Sequence, residues 1–162
     1  PPLQLLILGA GVDTKPLVDF AKLLGWRVTV VDYRPHYIQR ASAFHADTLL
    51  EILPDELGNA LDLTQFSAVI LMTHNMEYDK RYLHAIADCI IPFIGLLGPA
   101  HRKERLLQTL GNDAQKIQSR VFAPIGLDIG AQTPEEIALS IISGIQAYLH
   151  GREGGQLSHK IG

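Results

Sequence analysis

Cysteine is almost absent: Cys89 is the single one in 162 residues. That excludes an internal disulfide and a cysteine-built zinc site, and it suits a reducing compartment. The seven histidines include no pair at metal-ligand spacing. No Gly-x-Ser-x-Gly elbow and no Gly-Lys-Ser/Thr phosphate loop occurs, so no motif names a nucleophile. No apolar run approaches the roughly 20 residues of a membrane span, and no charged-then-apolar stretch opens the chain. A cytoplasmic location is expected. Neither sign of charge dominates. A net charge of −3 with 19% charged residues gives no reason to expect nucleic acid or an anionic membrane as partner. Internal repeats and low-complexity tracts are also missing.

What is present is a core. Hydrophobic residues make up 47% of the chain, and its length suits one domain that needs no disulfide or metal to hold it. Pro1-Pro2 lead almost directly into the apolar run Leu3–Leu8, which suggests an excised domain or a missing upstream segment.

Short apolar runs bounded by turns alternate with helical periodicity, the pattern of a parallel α/β sheet. Leu3–Leu8 reads as a strand covered on both faces. Leu17, Ala21 and Leu24 recur at helical spacing, and Gly25 ends that helix. Trp26–Val31 reads as the second strand, with Asp32 at its carboxyl end. Phe44–Asp47 reads as a short third strand and Leu49–Leu53 as a helix. Ala68–Met72 and Pro92–Leu97 read as strands, Tyr78–Ala87 and His101–Leu110 as helices. Thr133-Pro134-Glu135-Glu136 carries a capping box with proline at the first helical position. The expected fold is α/β, Rossmann-like, a three-layer α/β/α domain with a mostly parallel sheet over residues 1–150. A flexible tail follows over 151–162.

The stretch from Leu5 to Pro35 meets the context of a dinucleotide fingerprint. A strand precedes Gly9 and Gly11, a helix follows, and Asp32 lies 21 residues beyond Gly11. Gly9 permits a tight turn and Gly11 a close backbone approach. The helix N-terminus offers free N–H groups to an anion, and Asp32 offers acceptors to a ribose diol. The other reading is that the glycines only make the turn and Asp32 only caps a loop. Thr14 replaces the third glycine, adding bulk where helix and strand pack, although its hydroxyl offers a ligand contact. Asp13 already satisfies the helix dipole, with Lys15 placed to offset that charge. Arg34 either meets a 2′-phosphate or stays a surface residue.

Thr73 and His74 fall at a strand's carboxyl end, where open parallel sheets bind ligands. His74 is a candidate acid, base or orienting group; the alternative is that it caps the next helix or packs under a loop. Gly98 allows close ligand approach, with Arg102 behind it to clamp an anion. The alternative is a plain turn at Gly98 and a solvated basic helix face, which is the better reading for Lys103. Asp128 stands in Pro- and Gly-punctuated sequence, where anchoring a neighbouring loop is the better reading than facing the crevice. Cys89 reads as a buried packing residue.

Four separated stretches together resemble one family, the XdhC/CoxI accessory proteins of molybdenum hydroxylases. They are Val31-Asp32-Tyr33-Arg34-Pro35; Met72-Thr73-His74 with Asp79; Phe93-Ile94-Gly95-Leu96-Leu97-Gly98 with Arg102-Lys103; and Ala123-Pro124-Ile125-Gly126-Leu127-Asp128-Ile129-Gly130-Ala131 with Thr133-Pro134-Glu135-Glu136-Ile137-Ala138. The likeness is to the family's C-terminal Rossmann-like domain; its N-terminal domain is absent from this chain. The resemblance implies a chaperone that binds molybdenum cofactor (molybdopterin, sometimes as a dinucleotide) rather than a catalyst. It also implies a molybdenum hydroxylase of xanthine dehydrogenase type as client and a cysteine desulfurase as sulfur source. Thr73, His74, Gly98 and Asp128 carry over as pocket or fold-defining positions. The opening loop departs from the family, which often has His after the second glycine where Val12-Asp13-Thr14 stands here. The rival reading, from Gly9, Gly11 and Asp32, is an oxidoreductase domain binding NAD or NADP. A homodimer stays open as the assembly.

Overall fold

The computed structural model describes residues 1–159. Six strands form one sheet: β1 (Gln4–Leu8), β2 (Arg27–Asp32), β3 (Thr48–Glu51), β4 (Ala68–Leu71), β5 (Phe93–Leu96) and β6 (Val121–Phe122). Their order is β3-β2-β1-β4-β5-β6, and every pairing is parallel. The helices are α1 (Thr14–Leu23), α2 (Pro35–Ala41), α3 (Leu57–Ala60), α4 (Met76–Ile86), α5 (Ala100–Leu110), α6 (Ala114–Ile117) and α7 (Pro134–Leu149).

Side-chain alternation along each strand divides the core into two. Leu6, Leu8, Val69, Leu71, Ile94 and Leu96 pack with Tyr82, Leu83 and Ile86 of α4 and Leu106 of α5. The opposite parity, Leu5, Ile7, Val28, Val30, Ala68 and Ile70, packs with Leu17, Val18 and Ala21 of α1 and with Ile141 and Ile145 of α7. Four successive β1 residues, Leu5 to Leu8, are wholly buried. Each such side chain contributes about 1.5–3 kcal/mol, which holds the register, because a one-residue slip would exchange the two faces.

The third strand is displaced from its expected place. Phe44–Asp47 is not a strand: Ser42–Phe44 is a 3-10 turn that seats Phe44 in the core. Leu49–Leu53 is not a helix, for Thr48–Glu51 pairs with β2, Thr29 opposite Thr48. Backbone pairing along the β2 edge outweighs a local preference in a four-residue segment. The Thr133 capping box is present: its hydroxyl accepts the Glu136 N–H at 3.1 Å, and Glu136 accepts the Thr133 N–H at 3.1 Å. Residues 151–159 are exposed and end in a 3-10 turn, Leu157–His159. The end of the tail expected to be mobile, 160–162, lies outside the described residues. Among the described residues no helix is long and apolar enough to cross a membrane.

Candidate functional site

Strand register brings the carboxyl ends together. Leu8 pairs with both Val31 and Leu71, and Leu71 with Leu96. The sheet reverses its order of growth between β1 and β4, and the loops after β1, β2, β4 and β5 meet at that switch point.

Gly9 is required by the fold. Its φ is 135°, and a Cβ there would lie 2.6 Å from the Met72 carbonyl carbon, so the loop after β1 rides directly on the end of β4. Thr14 is fully buried, and its hydroxyl donates to the Gly9 carbonyl at 2.8 Å, closing the loop itself. Gly11 differs: a Cβ there would meet only the Asp13 carboxylate, at 2.9 Å. The N–H groups of Gly11, Val12 and Asp13 have no acceptor among the described residues.

Asp13 faces His74 across this loop. Asp13 Oδ2 and His74 Nε2 are 2.7 Å apart, and His74 has φ 63°. The Asp13 hydrogen bond pushes the imidazole above its ordinary pKa, against the opposing effect of burial. Asp13's partner is thus His74, while Lys15 pairs with Asp19 at 2.7 Å instead. Asn75, not His74, caps α4, accepting the Tyr78 N–H at 3.1 Å.

Asp32 is fully buried and fully engaged. Its oxygens accept the Ala10 N–H at 2.8 Å, the Arg34 N–H at 3.0 Å, and Arg34 Nε and Nη2 at 2.9 Å each. Arg34 Nη2 also donates to the Thr73 carbonyl at 3.0 Å, and its guanidinium lies 3.6 Å from the Tyr37 ring centre. Thr73 donates its hydroxyl to Asp79 Oδ1 at 2.6 Å and its N–H to the same oxygen at 3.1 Å. Arg102 turns inward to the other Asp79 oxygen and donates to the Leu97 carbonyl at 3.2 Å. Burial pushes the Asp79 carboxyl upward, against the pull of Thr73 and Arg102. The buried Arg102 Nε has no partner among the described residues.

Beside these networks lies an apolar cavity of about 470 Å³. Leu17 of α1, Met72, Leu97 and Ile125 wall it with Ile137, Ala138 and Ile141 of α7. Its polar rim is Asp13, His74, Gly98 and Gln132. Of the candidate residues, His74 and Gly98 line it directly. Gly9, Gly11 and Thr14 build the adjoining loop, whereas Asp32, Arg34, Thr73 and Arg102 are engaged in the hydrogen bonds beside it. Asp128 borders a separate shallow depression with Ile129 and Ser140. The α7 wall carries no site motif of its own; its signal in the sequence is the helical spacing of Ile137 and Ile141. A larger hollow, about 510 Å³, is lined only by the tail between Gly151 and His159. Among the described residues no three His, Cys, Asp or Glu side chains gather as a metal site.

A family model described as the XdhC Rossmann domain matches residues 5–145. A Bacillus subtilis (strain 168) protein, named as a probable subunit of xanthine dehydrogenase, is 33% identical over 145 residues, covering 90% of this chain and 42% of that protein. The Escherichia coli (strain K12) protein YqeB is 29% identical over 157 residues, covering 94% of this chain and 28% of that one. The crystal structure of a xanthine dehydrogenase from Bacillus halodurans has a TM-score of 0.81 at 34% identity, over 94% of this chain and 46% of that one. The NAD(P)-binding domain of an exopolyphosphatase-related protein from Archaeoglobus fulgidus shares the fold alone, with a TM-score of 0.53 at 19% identity over 67% and 83% of the two chains. This chain spans less than half the length of the family relatives. It belongs to the XdhC family and matches that family's Rossmann domain.

Proposed function

We propose that the chain serves as the cofactor-binding domain of an accessory protein for a xanthine-dehydrogenase-type molybdenum hydroxylase, receiving molybdenum cofactor in the crevice beside His74. The carrying observation is the apolar cavity at the switch point. Its volume lies in the range of small-ligand sites, and apolar walls with a few convergent polar groups suit a flat heterocycle. The donor chemistry suits an anionic substituent: His74, with its raised pKa, lies on the cavity rim, and the N–H groups of Gly11 to Asp13 stand open in the adjoining loop.

Leu17, Met72, Leu97 and Ile137 would hold the ring system. His74 and the amides of Gly11 to Asp13 would hold the phosphate, and α7 would keep water off the buried face. Bound there, the cofactor brings its own redox metal; these residues bind, orient and shield it. The reading is of a carrier, as the family resemblance implies. The cysteine desulfurase implied by the family resemblance, and the homodimer left open, draw no support from the fold.

Titrating the chain and the longer protein with molybdenum cofactor, followed by the cofactor's absorbance, tests this. Saturable one-site binding that weakens on Ile137→Glu is expected. Absence of binding in both proteins overturns it. The rival reading, NAD or NADP in an oxidoreductase domain, is favoured by the strand order but meets an Asp32 carboxylate already bonded on both oxygens.

A further inference from the structure

On a sheet of this strand order a dinucleotide lies across the carboxyl edge. Its pyrophosphate sits over the loop after the first strand, and the acid ending the next strand reads one ribose. Asp32 holds that acid's position, so one nucleoside would lie over the β2 side and the other half over β4 and β5. The two sides differ here. The β4–β5 side holds the open cavity. The β2 side is bridged twice, by groups that cross from the end of β2 to the end of β4, over β1.

The first bridge is Arg34. Its guanidinium takes both Asp32 oxygens and then reaches the Thr73 carbonyl at 3.0 Å. The second is aromatic: Tyr33, just after β2, stacks on Tyr78 of α4, with ring centres 3.5 Å apart and planes within 2°. Arg34 lies against both Tyr33 and Tyr37, and Arg81 against Tyr78. A base entering this half would have to separate the stacked tyrosine rings. A ribose diol would have to displace a bidentate guanidinium from a buried carboxylate, an exchange that leaves a charge unpaired.

We propose that the Arg34 bridge and the Tyr33–Tyr78 stack close the nucleoside half of the crevice, so that the site accepts one heterocycle with a single terminal phosphate and rejects dinucleotides. This rests on reading the cavity as a cofactor site, and it names the cofactor form that site takes. The chain's own side chains stand where the second nucleotide would lie, and specificity follows from exclusion rather than from added contacts.

Calorimetry with the monophosphate form of molybdenum cofactor, its dinucleotide form, and NAD tests the closure. The wild-type chain is expected to bind the monophosphate form at least about tenfold more tightly than the dinucleotide form, and NAD weakest. Arg34→Ser frees Asp32 for a ribose diol. Tyr78→Ala opens the stack without stranding a buried charge, and so serves if Arg34→Ser fails to fold. Either change should raise affinity for the dinucleotide form or NAD by about tenfold, with the monophosphate form held within about twofold. Equal wild-type affinity for both cofactor forms, or no gain in either folded variant, overturns the closure. If wild type binds neither cofactor form, the cofactor reading fails, and the NAD arm still decides: a gain in the variants supports the closure and no gain overturns it.

Discussion

His74 combines a left-handed backbone, φ 63°, with a charge partner in a different loop. A non-glycine residue held there costs about 1–3 kcal/mol unless its surroundings fix it. Asp13 is one such restraint and also raises the imidazole pKa. A histidine whose pKa is higher folded than unfolded adds stability in full below its unfolded pKa, about 6.5. That stability is lost as pH rises through the elevated folded value. The side chain is 52% exposed, so solvent screening keeps the effect small. In Asp13→Asn the His74 titration, followed by NMR, should fall back toward its ordinary value, and the loss of stability above about pH 6.5 should flatten. The same variant removes a carboxylate from beside the open amides, so an anionic ligand should bind it more tightly. A His74 titration that Asp13→Asn leaves in place would discount the pair in solution.

At the level of elements, α7 carries the cavity wall and its start is fixed by local chemistry. Thr133→Ala removes the hydroxyl that accepts the Glu136 N–H and should cost about 1 kcal/mol, read as a lower denaturation midpoint. Glu136 keeps its bonds to the N–H groups of Gln132 and Thr133, so the cavity shape and ligand stoichiometry should survive. A loss within a few tenths of a kcal/mol, about the noise of such measurements, would mean that packing on α1 sets the helix start alone. This capping box was legible because it is written in four consecutive residues. The central strands were legible for a related reason: burial on both faces forces continuous apolar runs. The edge strand β3 was not. Leu49 and Leu50 are only half-buried and their flanks exposed, so the four-residue segment carries no clear period, and β2 decides its state. The site residues divide similarly. Gly9, Thr73, His74 and Gly98 were readable as ends of strands. The Asp13–His74 and Asp79–Arg102 pairs join residues far apart in sequence, and no spacing rule announces them.

For the molecule as a whole, two cores share one sheet, and the cavity touches both halves of the sheet's reversal. Its lining comes from α1, the ends of β4 and β5, the segment after β6, and α7. A ligand held there ties together segments from nearly the whole chain, so its binding energy should appear as global stability rather than local ordering. At a free concentration one hundred times Kd, a ligand that binds only the folded state adds about 2.7 kcal/mol. In a domain of this size each kcal/mol moves Tm by about 2–4 °C, so the expected shift is roughly 5–10 °C in a single transition. Calorimetric melting with and without saturating molybdenum cofactor measures it. A single cooperative peak moving upward is what one rigid crevice predicts. A split transition, with only a fraction of the heat shifting, would mean that α7 and its loop melt apart from the sheet. The wall they form would then be assembled by the ligand rather than waiting for it.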